Sequence, residues 1–101
     1  MAKEILDIYV EQGFSFSFDM DYNTYNGEDL EDTNDVYFEN KSIGTKQFIV
    51  VNNTLYLELT ESDTTKISSN LETFTVYAID KLTSVKNKLL SGRIHLDKKG
   101  Q

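Results

Sequence analysis

Phe14, Phe16, Phe18 and Met20 alternate with Ser15, Ser17 and Asp19, and no other run constrains the fold of this chain as strongly. In an extended chain successive side chains point to opposite faces, so this spacing collects four large apolar groups on one side and small polar groups on the other. A helix would scatter the same residues around its circumference. The run is a half-buried strand. Because the intervening residues are small and polar, as an outward face would be, core packing accounts for the phenylalanines better than a stacking platform for sugars or bases.

The same period of two recurs along the chain. Leu6, Ile8 and Val10 share a face within a strand from about Ile5 to Glu11, and Gln12-Gly13 breaks or bulges the chain before the phenylalanine strand. From Asp21 to Asp35 the sequence is polar and acidic around Asn26-Gly27, a turn dipeptide, and reads as a loop. Val36–Glu39 is a short strand, Ser42–Thr45 a turn around Gly44, and Gln47–Val51 a further strand rich in β-branched residues. Asn52-Asn53 reverses the chain into Thr54–Thr60, where Leu55, Leu57 and Leu59 align, so a hairpin is expected. Glu61–Asn70 is a loop holding one helical turn, with Ser62, Asp63, Thr64 and Thr65 as capping candidates. Leu71–Asp80 resumes the alternation, with Phe74, Val76 and Ala78 on one face and Thr73, Thr75 and Tyr77 on the other. Lys88–Leu96 closes the set with Leu90, Ile94 and Leu96 aligned, and Asp97–Gln101 is expected to fray.

About seven short strands separated by turns, with no long helix between them, predict an all-β fold. The expected architecture is a single antiparallel β-sandwich domain, immunoglobulin-like in arrangement but without the Cys and Trp landmarks of antibody domains. At 101 residues one modest core is all the chain can build. Its six Phe and six Tyr supply the large units such a core needs. The chain has no Pro, so edge strands must be guarded by charge, bulges or a partner.

Charge and composition exclude several functions. A formal charge of −7 repels a phosphate backbone over most of the surface, which argues against nucleic acid as a partner. Without Cys there is no disulfide, thiolate nucleophile or cysteine metal site. No stretch approaches the roughly 18 apolar residues of a membrane helix, and the opening residues lack the apolar region of a signal peptide, so a soluble product is expected. Gly13, Gly27, Gly44, Gly92 and Gly100 are scattered and form no phosphate-cradling loop.

Eight acidic residues and no basic ones lie between Asp19 and Glu39. Asp19, Asp21 and Asn23 match the first ligands of an EF-hand, but Thr24 stands at the glycine position and Leu30 at the closing glutamate, so the motif fails. A solvated acidic loop is the simpler reading; an irregular cation site or a patch for a basic partner is the alternative. His95, the only histidine, falls on the face opposite Leu90, Ile94 and Leu96. No nucleophile elbow accompanies it, and a surface or edge histidine is expected in place of a catalytic one. Six of the ten bases fall between Lys81 and Lys99, a lopsidedness that would orient neighbours or copies head to tail if it persisted in three dimensions. Among the tyrosines, Tyr37, Tyr56 and Tyr77 are the interface candidates, since a phenol can stay partly wet in a contact.

Leu6–Gly13 followed by Phe14–Phe18, the loop Gly27-Glu28-Asp29-Leu30, Leu57-Glu58-Leu59-Thr60 with Asp63-Thr64, the strand Phe74–Asp80 and Leu89–Ile94 together resemble a family of small bacteriophage virion proteins encoded among tail, neck and head-fibre genes. The resemblance covers nearly the whole chain. Two features depart from the family pattern: Ser69-Asn70 stands in place of a Pro-Gly turn, and the strand after Leu30 is acidic where relatives often carry Arg. The resemblance implies a noncatalytic structural module of the virion, assembled in the host cytoplasm. It would dock on other virion proteins of neck, tail, baseplate or head through loops and edge strands, in several symmetric copies if it self-associates, with no cofactor. The alternative from a different class is a small module that holds calcium or a carbohydrate through the acidic segment 19–39; a hydrolase built on His95 is the third.

Overall fold

A computed structural model describes residues 5–21 and 30–97. Eight strands and two short helices follow one another: β1 (Ile5–Glu11), β2 (Phe16–Asp21), α1 (Leu30–Thr33), β3 (Asn34–Asn40), β4 (Gly44–Gln47), β5 (Ile49–Val51), β6 (Thr54–Leu59), α2 (Glu61–Lys66), β7 (Leu71–Asp80) and β8 (Lys86–Asp97). They form a five-stranded sheet in the order β1-β8-β7-β3-β4 and a three-stranded sheet in the order β2-β6-β5. With strands lettered as in immunoglobulin domains, β2-β6-β5 is B-E-D and β8-β7-β3-β4 is G-F-C-C′. The molecule is an immunoglobulin-like all-β sandwich.

One pairing departs from the expected antiparallel sandwich: β1 runs parallel to β8, with Asp7 beside Arg93 and Tyr9 beside His95. Alternation specifies which face of a strand is buried but carries no information on the direction of its neighbour, so this pairing is invisible in the sequence. The expected single strand Gln47–Val51 is likewise two pieces in different sheets. Phe48 sits at the crossing, 3% exposed, and its N–H donates to the Val36 carbonyl at 2.8 Å. The chain thus leaves one sheet and enters the other around a buried ring.

The core follows the apolar alternation. Val36 and Phe38 of β3, Phe74 and Val76 of β7 and Ile94 of β8 meet Leu55, Leu57 and Leu59 of β6 and Ile67. Phe38 and Phe74 stack with centroids 5.0 Å apart, and Phe18 meets Phe48 edge-on at 6.0 Å. Fully burying each such side chain contributes about 1.5–3 kcal/mol. Phe14 departs from this pattern: Gly13, at φ +86°, bends the chain before β2, and Phe14 is 54% exposed. Phe16, Phe18 and Met20 do point inward, yet they are only half-buried. The Asn52-Asn53 reversal holds, both residues taking positive φ (49° and 64°), as a tight β6-β5 hairpin requires.

The helical turn expected in 61–70 is α2, but its cap is Thr60, one residue before the helix and outside the candidates named from sequence. Thr60 Oγ1 accepts from the Asp63 N–H while the Asp63 carboxylate accepts from the Thr60 N–H, a reciprocal capping box. Asp63 also pairs with Lys46 of β4, which joins the helix to the edge of the large sheet. Burial would raise the Asp63 pKa; the hydrogen bonds from Lys46 and Thr60 outweigh it and hold the carboxyl below its usual value.

Thr64, fully buried, ties α2 to the β1–β2 turn. Its hydroxyl accepts from the Gly13 N–H at 3.0 Å and lies 3.0 Å from the Phe14 carbonyl. Thr64→Val keeps the shape and removes both bonds, so it should cost about 2 kcal/mol, the usual consequence of leaving a backbone group unpaired. Thermal unfolding followed by circular dichroism should show Tm lowered by roughly 10 °C. An unchanged Tm would mean that water replaces the hydroxyl at no cost.

The acidic segment divides. Asp21 ends β2, α1 and the start of β3 replace the expected loop over 30–35, and residues 22–29 lie outside the described residues, as does most of the tail expected to fray. Lys81 donates its backbone N–H to the Thr33 carbonyl, and β7 pairs with β3 from Asn34 opposite Asp80 to Glu39 opposite Thr75. The β7–β8 turn is therefore tied to the start of β3, whereas the bases on β8 are separated from β3 by β7, a strand without Lys or Arg.

Candidate interaction surface

The outer face of the three-stranded sheet is the most distinctive surface. Leu55, Leu57 and Leu59 of β6 point into the core, so Tyr56 and Glu58 point out. The register sets Asp19 opposite Tyr56, Tyr56 opposite Ile49, and Ser17 opposite Glu58. Side chains directly opposite one another share a face and touch. Ile49 (67% exposed), Val51 (46%) and Tyr56 (42%) form a contiguous apolar patch beside Asp19 and Glu58. A shallow depression of about 350 Å³ lies here, lined by Ser17, Asp19, Ile49, Tyr56 and Glu58 together with Phe18 and Leu57. Apolar patches rimmed by polar groups mark contact sites.

The outer face of the large sheet is more self-contained. Tyr37 and Tyr77 stack at 5.5 Å, and the Lys86 ammonium lies 4.1 Å from the centre of the Tyr77 ring. These contacts leave Tyr77 only 7% exposed. Towards the β1 edge, Arg93 donates from Nε and Nη2 to the two carboxylate oxygens of Asp7 at 2.8 and 3.2 Å, and His95 Nε2 lies 2.9 Å from Asp7 Oδ1. Tyr9 stacks on His95 with centroids 4.6 Å apart. The hydrogen bonds from Arg93, then from His95, hold the Asp7 carboxyl below its usual value, and Asp7 in turn raises Arg93.

No protein-family model matches the chain, and no curated protein sequence resembles it closely enough to count as a relative.

The three interface tyrosines separate. Tyr56 lies in the exposed patch of the small sheet; Tyr37 and Tyr77 lie on the opposite side of the sandwich, and Tyr77 is covered. His95 lies on the outer face of β8, an interior strand of the large sheet and not an edge, half-exposed and 2.9 Å from Asp7 Oδ1. Asp19 and Asp21 share the outer face of β2, with Asp21 accepting from the Thr54 hydroxyl at 2.9 Å, whereas Asn23 lies outside the described residues. Among the described residues no group of three or more His, Asp or Glu side chains converges as a metal site. No helix among them is long and apolar enough to cross a membrane.

Sequence reasoning missed the cluster of Asp7 and Tyr9 with Arg93 and His95, two pairs more than 80 residues apart that meet only through the parallel pairing. It also missed Leu82, 95% exposed at the tip of the β7–β8 hairpin, and Val85 beside it at 52%. An apolar residue inside the polar turn Lys81–Ser84 was the available signal.

Proposed function

We propose that this chain is a noncatalytic structural module of a bacteriophage virion that docks on neighbouring virion proteins, with the outer face of the three-stranded sheet as its principal contact. The observation that carries the reading is the contiguous exposed patch of Ile49, Val51 and Tyr56, rimmed by Ser17, Asp19 and Glu58. An aromatic at the centre of an apolar patch with a polar rim has the anatomy of a protein contact. The virion setting is supported by the resemblance, whose residue patterns fall on β1, β2, β6, α2, β7 and β8 in order.

Purified particles test it. The wild-type protein should be found in them by mass spectrometry and located by electron microscopy with this sheet against a neighbour. A variant carrying Ile49→Asp and Tyr56→Ala changes only exposed side chains, so it should fold normally while its content in particles falls by about tenfold or more, the loss expected when a central aromatic is removed. Unchanged incorporation would overturn the choice of surface. Wild-type protein found only free in infected cells would overturn the virion role.

A further inference from the structure

We infer that β2 is an acceptor edge: it takes up an extended segment of a partner, apolar on alternate residues and basic between them, as a fourth strand of the small sheet. Among the described residues β2 pairs with β6 alone, which leaves its other edge without a neighbour. That sheet has three strands against five in the sheet it faces.

Four edges are open in the two sheets, and they are not equivalent. β5 has three residues, and β4 has four, opening at Gly44 (φ +92°) with its Lys46 committed to Asp63. Short edges and edge lysines discourage pairing. β1 is long enough, but its inward Ile8 and Val10 are already 5% and 2% exposed, which leaves only the partly buried Leu6 for an added strand to cover. β2 offers six residues with no register shift, and its inward Phe16, Phe18 and Met20 remain half-buried. An added strand would place every second side chain against these three and bury what water still reaches.

Charge selects the occupant. The outward residues of β2 are Ser17, Asp19 and Asp21, Glu58 follows on β6, and no Lys or Arg occurs in β2, β5 or β6. Like charges on adjacent strands are destabilising and opposite charges favourable. A second copy pairing through its own β2 would set Asp19 and Asp21 against their counterparts, which disfavours self-association here. Lys or Arg at the outward positions of a partner strand would be matched. Main-chain hydrogen bonds supply affinity in such strand addition, and the alternate side chains supply specificity. The inference rests on the docking reading only in drawing the added strand from a neighbouring protein; its test needs no virion.

The probe is a capped seven-residue peptide, Lys-Val-Lys-Val-Lys-Val-Lys, added to the isotope-labelled full chain and followed by NMR shifts and amide exchange. The expected result is shift changes centred on Phe16–Asp21, slower exchange of those β2 amides that point away from β6, and weaker binding at high salt. Replacing the central Val by Pro should abolish the effect, because it removes a main-chain donor, and replacing Lys by Glu should abolish it through repulsion. Asp19→Lys should weaken binding by about tenfold while leaving Tm near wild type, a change at an exposed site. Equal effects from the Pro-interrupted peptide, protection appearing at β1, β4 or β5, no response at millimolar peptide, or dimerisation of the protein through β2 would each overturn the proposal. Binding of the peptide with no trace of the protein in particles would leave the acceptor edge intact and reject only the virion role.

Discussion

Gly92→Ala is expected to lower stability by about 3 kcal/mol or more, the upper range for forcing extra volume into a packed core. Gly92 lies in the middle of β8, directly opposite Phe74 of β7 and beside Leu6 of β1. A Cβ built there overlaps the Phe74 ring and stands 2.6 Å from the Leu6 carbonyl oxygen. Neither neighbour yields cheaply. The ring is 2% exposed and stacked on Phe38, and the carbonyl belongs to the backbone of a paired strand. For a domain of this size the loss corresponds to a fall in Tm of roughly 12–24 °C. Phe74→Leu in the same chain should recover part of it by freeing the space, so that the two changes are non-additive in a double-mutant cycle. A Gly92→Ala protein melting within a few degrees of wild type would show that β8 shifts away from β1 with little cost.

Glu72→Gln should be nearly as damaging, at about 2–3 kcal/mol near neutral pH. Glu72 is 3% exposed, and among the described residues its carboxylate meets hydrogen-bond donors and no cation. Oε1 accepts from Ser42 Oγ at 2.8 Å and Asn40 Nδ2 at 3.1 Å, and Oε2 from the Ser68 and Ser69 N–H groups at 3.1 and 3.0 Å. The same carboxylate thus joins the β3–β4 turn to the segment entering β7. Asn40 completes the joint by accepting from the Ser42 and Ile43 N–H groups, both at 2.9 Å. A glutamine amide would turn two donors toward this set of donors and leave some unpaired, at the 1–3 kcal/mol typical of each such group.

Glu72 also makes stability depend on pH. Burial would raise its pKa, but the hydrogen bonds from Ser42, Asn40, Ser69 and Ser68 outweigh burial and hold it below its ordinary 4.5. A carboxyl whose pKa is lower when folded than unfolded adds stability that is complete above the unfolded value. That stability is lost as pH falls through the folded value. The gap in unfolding free energy between wild type and Glu72→Gln should therefore be largest above about pH 5 and narrow below 4.5. Urea titrations between pH 7 and 3 measure it; a gap that stays constant would mean that Glu72 is held by shape and not by charge.

Legibility of the fold varied with the range of the interactions involved. The inward positions of β1, β6 and β8 could be read directly, because alternation is a local property imposed by the backbone. The two sheets to which Gln47 and Ile49 belong could not, since the crossing at Phe48 depends on what packs above it. The spacing Thr60-x-x-Asp63 carried the capping box, but Ser62, Asp63, Thr64 and Thr65 offer equally good capping side chains within the next five residues, so composition alone does not single out Thr60. For the candidate surface, Tyr56 was visible as an outward aromatic in a strand of inward leucines. Its pairing with Asp19 and Ile49, which makes a patch from single exposed residues, required the register of three strands.

The sequence by itself determined that this chain is an all-β sandwich with one small core, because period-two alternation and the polar breaks between strands are dictated residue by residue by backbone geometry. It also set the side of each main strand that meets the core. Only the tertiary structure decided that β1 lies parallel to β8, that Asn40 and Ser42 of the β3–β4 turn reach Glu72, and that β2 is left as an edge with its inward face half-covered. All of these depend on which strands become neighbours, and that choice is made by the packing of whole sheets, where contacts between residues far apart in the chain outweigh any local preference.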